Sequence, residues 1–331
     1  MASFLFLNRQ DIEALLPMEE CVDVVEAALQ ALARGEALQP LRSALWMPDR
    51  HGLLGVMPGM LNAPGGPPVA GVKVLTVVPE NHLHGEESHQ GMVLLFEQER
   101  GRPLCLLDAT AVTAIRTAAA SAVATRALAC RDAGDLAILG SGTQARSHLD
   151  AMRAVRPLRR VRVWSRRPES ARRFAEREEG RLGLAVEAVP SSQEAVEGAD
   201  LICTVTAATE PVLKGEWISP GAHVNAVGAC TPAVRELDAA AVARSRLFVD
   251  RRESALAEAG DFLLARKEGA VADDHILGEL GELLEGKVPG RCSEQEVTLF
   301  KSLGIAVEDL AAGRHVYAKA LAVGRGIELN L

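Results

Sequence analysis

Apolar positions recur at helical spacing near the start of the chain. In NRQDIEALLPMEECVDVVEAALQALARGE, Ile12, Leu15, Val22, Val25, Ala28, Leu29 and Leu32 follow that spacing, which predicts one helix closed at Gly35. Short apolar runs punctuated by Pro, Gly and Asn come next: LRSALWMP, GLLGVMPGM, VAGVKVLTVVP and GMVLLFEQERGRPLCLLD. They predict meandering strands, the last run a hairpin turning at Glu99-Arg100-Gly101-Arg102, with NAPGGPP a loop. From Ala109 the pattern changes. ATAVTAIRTAAASAVATRALA is Ala-rich, has strong helix propensity and is expected to link two domains.

Strands and helices then alternate. DLAILGSG, RVRVWSRR, LAVEAV, DLICTVTAA, GAHVNAVGA and SRLFVD read as strands. TQARSHLDAMRAV, PESARRFAEREEG and SSQEAVEGA read as the helices between the earlier ones. This rhythm predicts a parallel, doubly wound sheet. The last segment, SEQEVTLFKSLGIAVEDLAAGRHVYAKALAVGRG, reads as a helix broken near Ser302–Gly304 that returns to the first domain. The expected organisation is therefore residues 1–130 completed by 302–331, with 131–301 as a second domain.

Composition narrows the class. A chain of 331 residues, 48% apolar and 24% charged, is long enough for two packed domains. Lys and Arg number 36 against 44 Asp and Glu, a formal charge of −8 with no basic block, and aromatics are 3%. Nucleic acid is not expected as a partner. Six cysteines (Cys21, Cys105, Cys130, Cys203, Cys230, Cys292) are scattered without CxxC spacing, so reduced thiols and no cysteine-based metal site are expected. His82 and His84 in NHLHG lack a carboxylate or Cys partner at ligand spacing and read as a polar loop. No uncharged apolar run approaches the roughly 18 residues of a membrane span, and the first residues lack a signal-peptide pattern. A cytoplasmic protein without membrane partners is expected.

The run Gly140-Ser141-Gly142-Thr143-Gln144-Ala145 fits G-x-G-x-x-A between an expected strand and an expected helix. The first Gly permits a tight turn. The second lets backbone approach a pyrophosphate, and the small third residue allows close packing of strand and helix. N–H groups at the helix start, including those of Thr143 and Gln144, would meet the phosphates. The fold class is thus α/β: a Rossmann doubly wound parallel sheet plus a β-rich α+β domain. At the end of the second strand stand Ser165, Arg166 and Arg167, with no carboxylate to grip a ribose 2′-hydroxyl. Two guanidiniums and a hydroxyl suit a 2′-phosphate, which favours NADP(H) over NAD(H). Thr204, Val205 and Thr206 follow the fourth strand, where ligands of this fold lie.

The sequence resembles the ornithine cyclodeaminase/mu-crystallin family over nearly its whole length. The matching runs are QPLRS (39–43), GLLGVMPG (52–59), ESHQGMVLLFE (87–97), AIRTAAASAVAT (114–125), GSGTQARSH (140–148), TVTAATEPVLKGEWISPGAHVNAVGA (204–229), RELD (235–238) and FKSLGIAVED (300–309). WSRRPESARRFA, RELD and FKSLGIAVED are more similar to the mu-crystallin branch than to the cyclodeaminases. The resemblance implies a substrate and dimerisation domain flanking a dinucleotide domain, and a homodimer whose β-rich domains pair. It implies hydride exchange between a nicotinamide and the nitrogen-bearing carbon of an amino or imino acid.

The resemblance also implies a substrate site. Arg42, Lys73 and Arg116 match cations that hold a substrate carboxylate, with Met57, His89 and Cys230 in the pocket and Val227 and Ser302 beside the cofactor. Guanidinium forks and an ammonium suit a carboxylate. Lys73, inside the apolar run GVKVLTVV, is costly to bury unless paired or functional. His89 reads equally as a ligand contact or a structural histidine. Cyclodeaminases carry an Asp where NAVGACTP has Cys230, and a thiol cannot replace that carboxylate. The expected activity is NADPH-dependent reduction of a cyclic ketimine such as pyrroline-2-carboxylate or piperideine-2-carboxylate. Alternatives are an amino-acid dehydrogenase of alanine-dehydrogenase type, a cyclodeaminase, and an NADPH and thyroid-hormone binding protein.

Overall fold

The computed structural model describes residues 3–62 and 65–330; the NAPGGPP loop thus includes two residues outside this set, as is the side chain of His82. The chain divides into two compact units. One comprises the chain up to Arg116 together with the segment from Gly304 onward, and the other is Thr117–Leu303. The first begins with β1 (Ser3–Leu7), α1 (Arg9–Leu15) and α2 (Met18–Ala33). The single helix expected here is two. Pro17 has no N–H and its ring clashes with the preceding turn, so the first helix stops and Pro17 becomes the N-cap of the second. Strands β2 (Ala37–Leu38), β3 (Ser43–Trp46), β4 (Leu53–Leu61), β5 (Val69–Val77), β6 (His89–Glu97) and β7 (Pro103–Asp108) follow, then α3 (Ala109–Leu128). The unit boundary, expected at 130/131, falls inside α3 at 116/117. Arg116 belongs with the first unit because its carboxylate partners lie near the chain's end.

In the second unit β8 (Asp135–Leu139), α4 (Thr143–Val155), β9 (Arg160–Trp164), α5 (Pro168–Leu182), β10 (Val186–Ala188), α6 (Ser192–Val196) and β11 (Leu201–Thr204) alternate. Then come β12 (His223–Ala226), α7 (Ala239–Ala243), β13 (Ser245–Val249), α8 (Arg252–Glu258), α9 (Gly260–Lys267), β14 (Ile276–Glu279), α10 (Leu280–Leu284) and β15 (Val297–Lys301). The eight strands form one parallel sheet in the order β10-β9-β8-β11-β12-β15-β13-β14. Strand order reverses between β8 and β11, the switch point at which this fold binds ligands. The central strands are buried on both faces; β8 and β11 are largely apolar, while in β12 the buried His223 and Asn225 are hydrogen-bonded to Thr298 and Thr125. VTLFK, expected as helix, is β15. A short apolar run buried on both sides has no periodicity to separate strand from helix. It pairs with β12 and β13, strands distant from it in sequence.

After β15 the chain returns to the first unit as α11 (Ala306–Val323) and β16 (Ile327–Asn330). The first sheet runs β16-β1-β7-β6-β5-β4-β2, with β3 also on β4. Strands β4 to β7 are an antiparallel meander, including the expected β6–β7 hairpin. One face is covered by α11: Leu310 packs on Gly59 and Gly71, where a Cβ would collide with it, at 2.6 Å for Gly71. The opposite face carries Leu45, Met60, Val74 and Met92, all exposed. Among the described residues no helix is long and apolar enough to cross a membrane.

Candidate active site

Two of the three expected cations are buried together in the first unit. Lys73 lies mid-strand in β5 on the face toward α11, and Arg116 lies on α3. The Lys73 Nζ donates to Asp309 Oδ1 at 3.0 Å and to Thr113 Oγ1 at 2.5 Å. Arg116 Nε donates to the same Asp309 oxygen at 2.9 Å, and its Nη1 to Glu308 Oε2 at 2.8 Å. All four charged side chains are essentially inaccessible. Asp309 Oδ2 is buried and without a hydrogen-bond partner. Thr113 and Arg116, three apart, share one face of α3. Glu308 and Asp309 stand in the first turn of α11, where carboxylates oppose the positive end of the helix. Burial is the main effect on Lys73 and lowers its pKa to about 8, against the pull of Asp309.

Within the first unit, Met57, His89 and Arg42 of the expected substrate set lie near this pair. Met57 is buried and directly opposite Lys73 in the β4–β5 register. His89 opens β6, its Nδ1 3.0 Å from Ser88 Oγ. The His89 ring is reachable by solvent in the single chain, yet protein surrounds it closely. That desolvation, then the charges of Lys73, Arg42 and Arg116, lowers its pKa to about 4, leaving it neutral at pH 7. Arg42 is half-buried on the β2–β3 connection, which is anchored by Gln39 Oε1 accepting from Val307 N at 3.1 Å. Gly304, with φ +76°, presses on the Arg116 guanidinium; a Cβ there would lie 2.5 Å from Nη1. Cys230 lies in the second unit, half-buried, its Sγ 3.2 Å from Val227 O.

The expected dinucleotide residues all lie at the carboxyl edge of the parallel sheet. Gly140 follows β8 with φ +127°, and a Cβ would sit 2.7 Å from Val205 O, so only glycine fits this turn. Gly142 is the N-cap of α4, has no side-chain cap, and faces open space. Ala145 is fully buried against the sheet. Ser165 follows β9 and accepts a hydrogen bond from Ser141 at 3.0 Å, while Arg166 and Arg167 project into solvent. Val227 and Ser302 follow β12 and β15. The Ser302 Oγ is buried and has no partner. An open glycine cradle, an uncapped helix start and an orphaned hydroxyl fit a dinucleotide. The hydroxyls of Thr204 and Thr206 both donate to the buried Glu236, at 2.8 and 2.7 Å.

The sequence pattern of the ornithine cyclodeaminase/mu-crystallin family matches residues 3–324. The chain belongs to this family. The family member "Ketimine reductase mu-crystallin" of Mus musculus is 40% identical over 316 residues, covering 94% of this chain and 96% of that protein. A "Delta(1)-pyrroline-2-carboxylate reductase" of Bacillus cereus is 35% identical over 327 residues, 98% and 99% of the two chains. Among solved structures, the Thermococcus litoralis Delta(1)-pyrroline-2-carboxylate reductase in complex with NADH and L-proline superposes with a TM-score of 0.95. It is 39% identical and covers 99% of this chain and 100% of that one.

Sequence reasoning missed Thr113, Glu308, Asp309, Gly304 and Glu236. A signal existed for two of them. Adjacent acids inside the apolar segment GIAVEDLAA are too costly to bury unpaired, so they call for cations.

Proposed function

We propose that this protein is an NADPH-dependent reductase of cyclic ketimines, converting pyrroline-2-carboxylate or piperideine-2-carboxylate to proline or pipecolate. The observation that carries the reading is the buried Lys73–Asp309–Arg116–Glu308 cluster with Arg42 and His89 beside it. Two acids neutralise two of the three cations and hold them rigidly. Arg42, half-buried near His89, adds a guanidinium fork of the kind that suits a substrate carboxylate. Thr113 and Asp309 occupy two of the three donors of the Lys73 ammonium, leaving one for substrate. With its pKa at about 8, the Lys73 Nζ carries a proton near neutrality and keeps the imine nitrogen protonated, the form in which its carbon is most electrophilic. His89, neutral, lines the pocket without adding charge, and Met57 excludes water.

When bound, the reduced nicotinamide supplies the hydride. Gly140, Gly142, Thr143 and Gln144 hold the pyrophosphate, with Thr204, Val205, Thr206, Val227 and Ser302 along the same edge of the sheet. Ser165, Arg166 and Arg167 prefer a 2′-phosphate, hence NADP(H). No carboxylate among the described residues pairs with Arg166 or Arg167, so both forks are available. Cys230 takes the place of the cyclodeaminase carboxylate, which favours reduction over cyclisation. The exposed sheet face bearing Leu45, Met60, Val74 and Met92 pairs two copies into a homodimer. The test is oxidation of NADPH and NADH with pyrroline-2-carboxylate, and in parallel with pyruvate plus ammonia. Turnover of the cyclic imine with NADPH preferred is expected. Turnover of pyruvate and ammonia alone would replace the ketimine reading with an amino-acid dehydrogenase.

A further inference from the structure

Glu236 is fully buried between the loops that leave β11 and β12. Its carboxylate accepts four hydrogen bonds. The Oε1 receives Thr206 N–H at 2.6 Å and Thr206 Oγ1 at 2.7 Å. The Oε2 receives Thr204 Oγ1 at 2.8 Å and Gly228 N–H at 2.6 Å. Glu236 is held from behind: its own N–H donates to Asp261 Oδ1 at 2.7 Å, and Asp261 Oδ2 pairs with Lys301 of β15 at 2.9 Å. Gly228 has no room for a side chain, because a Cβ would lie 2.0 Å from Thr206 O. Three strands of the sheet are therefore tied together, just past their carboxyl ends, through one carboxylate and its supports.

A merely structural tie does not need a charge. Burying a carboxylate is costly, and a neutral side chain can join two loops more cheaply. Burial raises the Glu236 pKa first and Asp261 adds to this, while Lys301 and the Thr206 hydrogen bonds oppose them. What the anion supplies is four convergent, charge-assisted bonds that fix both loops at one spacing. These loops flank the strands next to the switch point, where a dinucleotide lies in this fold. The structure assigns Glu236 as the positioning residue that presets the Thr204–Thr206 and Val227–Gly228 loops for the dinucleotide. The assignment rests on the nicotinamide reading above.

The experiment measures binding of NADPH and NADH by their fluorescence, and separate KM values for dinucleotide and imine, in the parent and in Glu236→Gln. The amide keeps the size but turns one arm into a donor facing a donor. The expected result is a folded variant whose dinucleotide Kd rises tenfold or more while the imine KM changes less than threefold. A folded Glu236→Gln that binds dinucleotide within twofold of the parent overturns the assignment and leaves the reductase reading standing. A parent that binds neither dinucleotide overturns both. A uniform loss in every parameter, tracking a lowered Tm, marks Glu236 as structural and also overturns it. Should Glu236→Gln fail to fold, Thr204→Val removes one donor to the same carboxylate. It is expected to weaken dinucleotide binding about threefold, and unchanged binding counts against the assignment. Where both variants fold, their effects are expected to be non-additive, and additive effects overturn it.

Discussion

Lys73 and Asp309 stand 236 positions apart in the chain and 3.0 Å apart in the structure, and the same Asp309 oxygen also accepts from Arg116. One carboxylate from the last helix thus sets the position of two cations from a strand and a helix far upstream. Substrate capture in this reading depends on a contact that forms only when the chain's end returns to its beginning.

Removing that carboxylate leaves two buried cations short of an anion. Asp309→Asn is expected to lower unfolding free energy by about 3 kcal/mol or more, the usual cost of breaking a buried pair. Urea denaturation measures this, and kcat/KM for the imine should fall with it. A variant as stable and active as the parent removes Asp309 from the site.

Lys73 makes a pH prediction. Burial lowers its folded-state pKa from 10.5 to about 8, so the ammonium loses its proton as pH rises through that value. If the protonated form serves the reaction, kcat/KM is level below about 8 and declines above it. Lys73→Met should lose about 10²-fold or more and abolish that limb. The linkage to stability has the opposite sense. Between about 8 and 10.5 the unfolded chain retains a proton the folded one has released, so this group's contribution to stability rises with pH there.

Gly304 couples a backbone conformation to Arg116. Alanine at this position meets both a φ of +76° and the guanidinium at 2.5 Å. Gly304→Ala is expected to raise the imine KM about tenfold by displacing Arg116. Retention of the parent KM in steady-state assays would show that the guanidinium can yield without consequence.

Cofactor choice is tested by Arg166→Ala combined with Arg167→Ala. Charge-assisted bonds to a 2′-phosphate are worth roughly 1.5–3 kcal/mol each, so NADPH binding should weaken at least tenfold. NADH binding should change little. Equal loss for both dinucleotides would mean that the two arginines do not read the 2′ position.

The homodimer is tested at its proposed centre. Val74 and Met92 are register partners on the uncovered sheet face. Met92→Lys places a charge in that apolar patch and is expected to give monomers by sedimentation velocity, where the parent sediments as a dimer. A parent that sediments as a monomer ends the proposal.

The second unit was largely legible in the sequence because its signals are local. A strand, a glycine turn and the start of a helix lie within a dozen residues from Asp135 to Ala145, and the alternation that follows admits a parallel sheet and little else. The cations Lys73 and Arg116 also stood out, because a charge amid apolar neighbours needs a reason. Their partners were not legible. Nothing local tells that Glu308 and Asp309 face α3 and β5, that Thr204 turns to Glu236, or that VTLFK enters a sheet between β12 and β13. Local propensity and periodicity set which elements form. Which buried charges meet is decided by long-range packing, since a buried ion is tolerated only where tertiary structure brings its counter-charge.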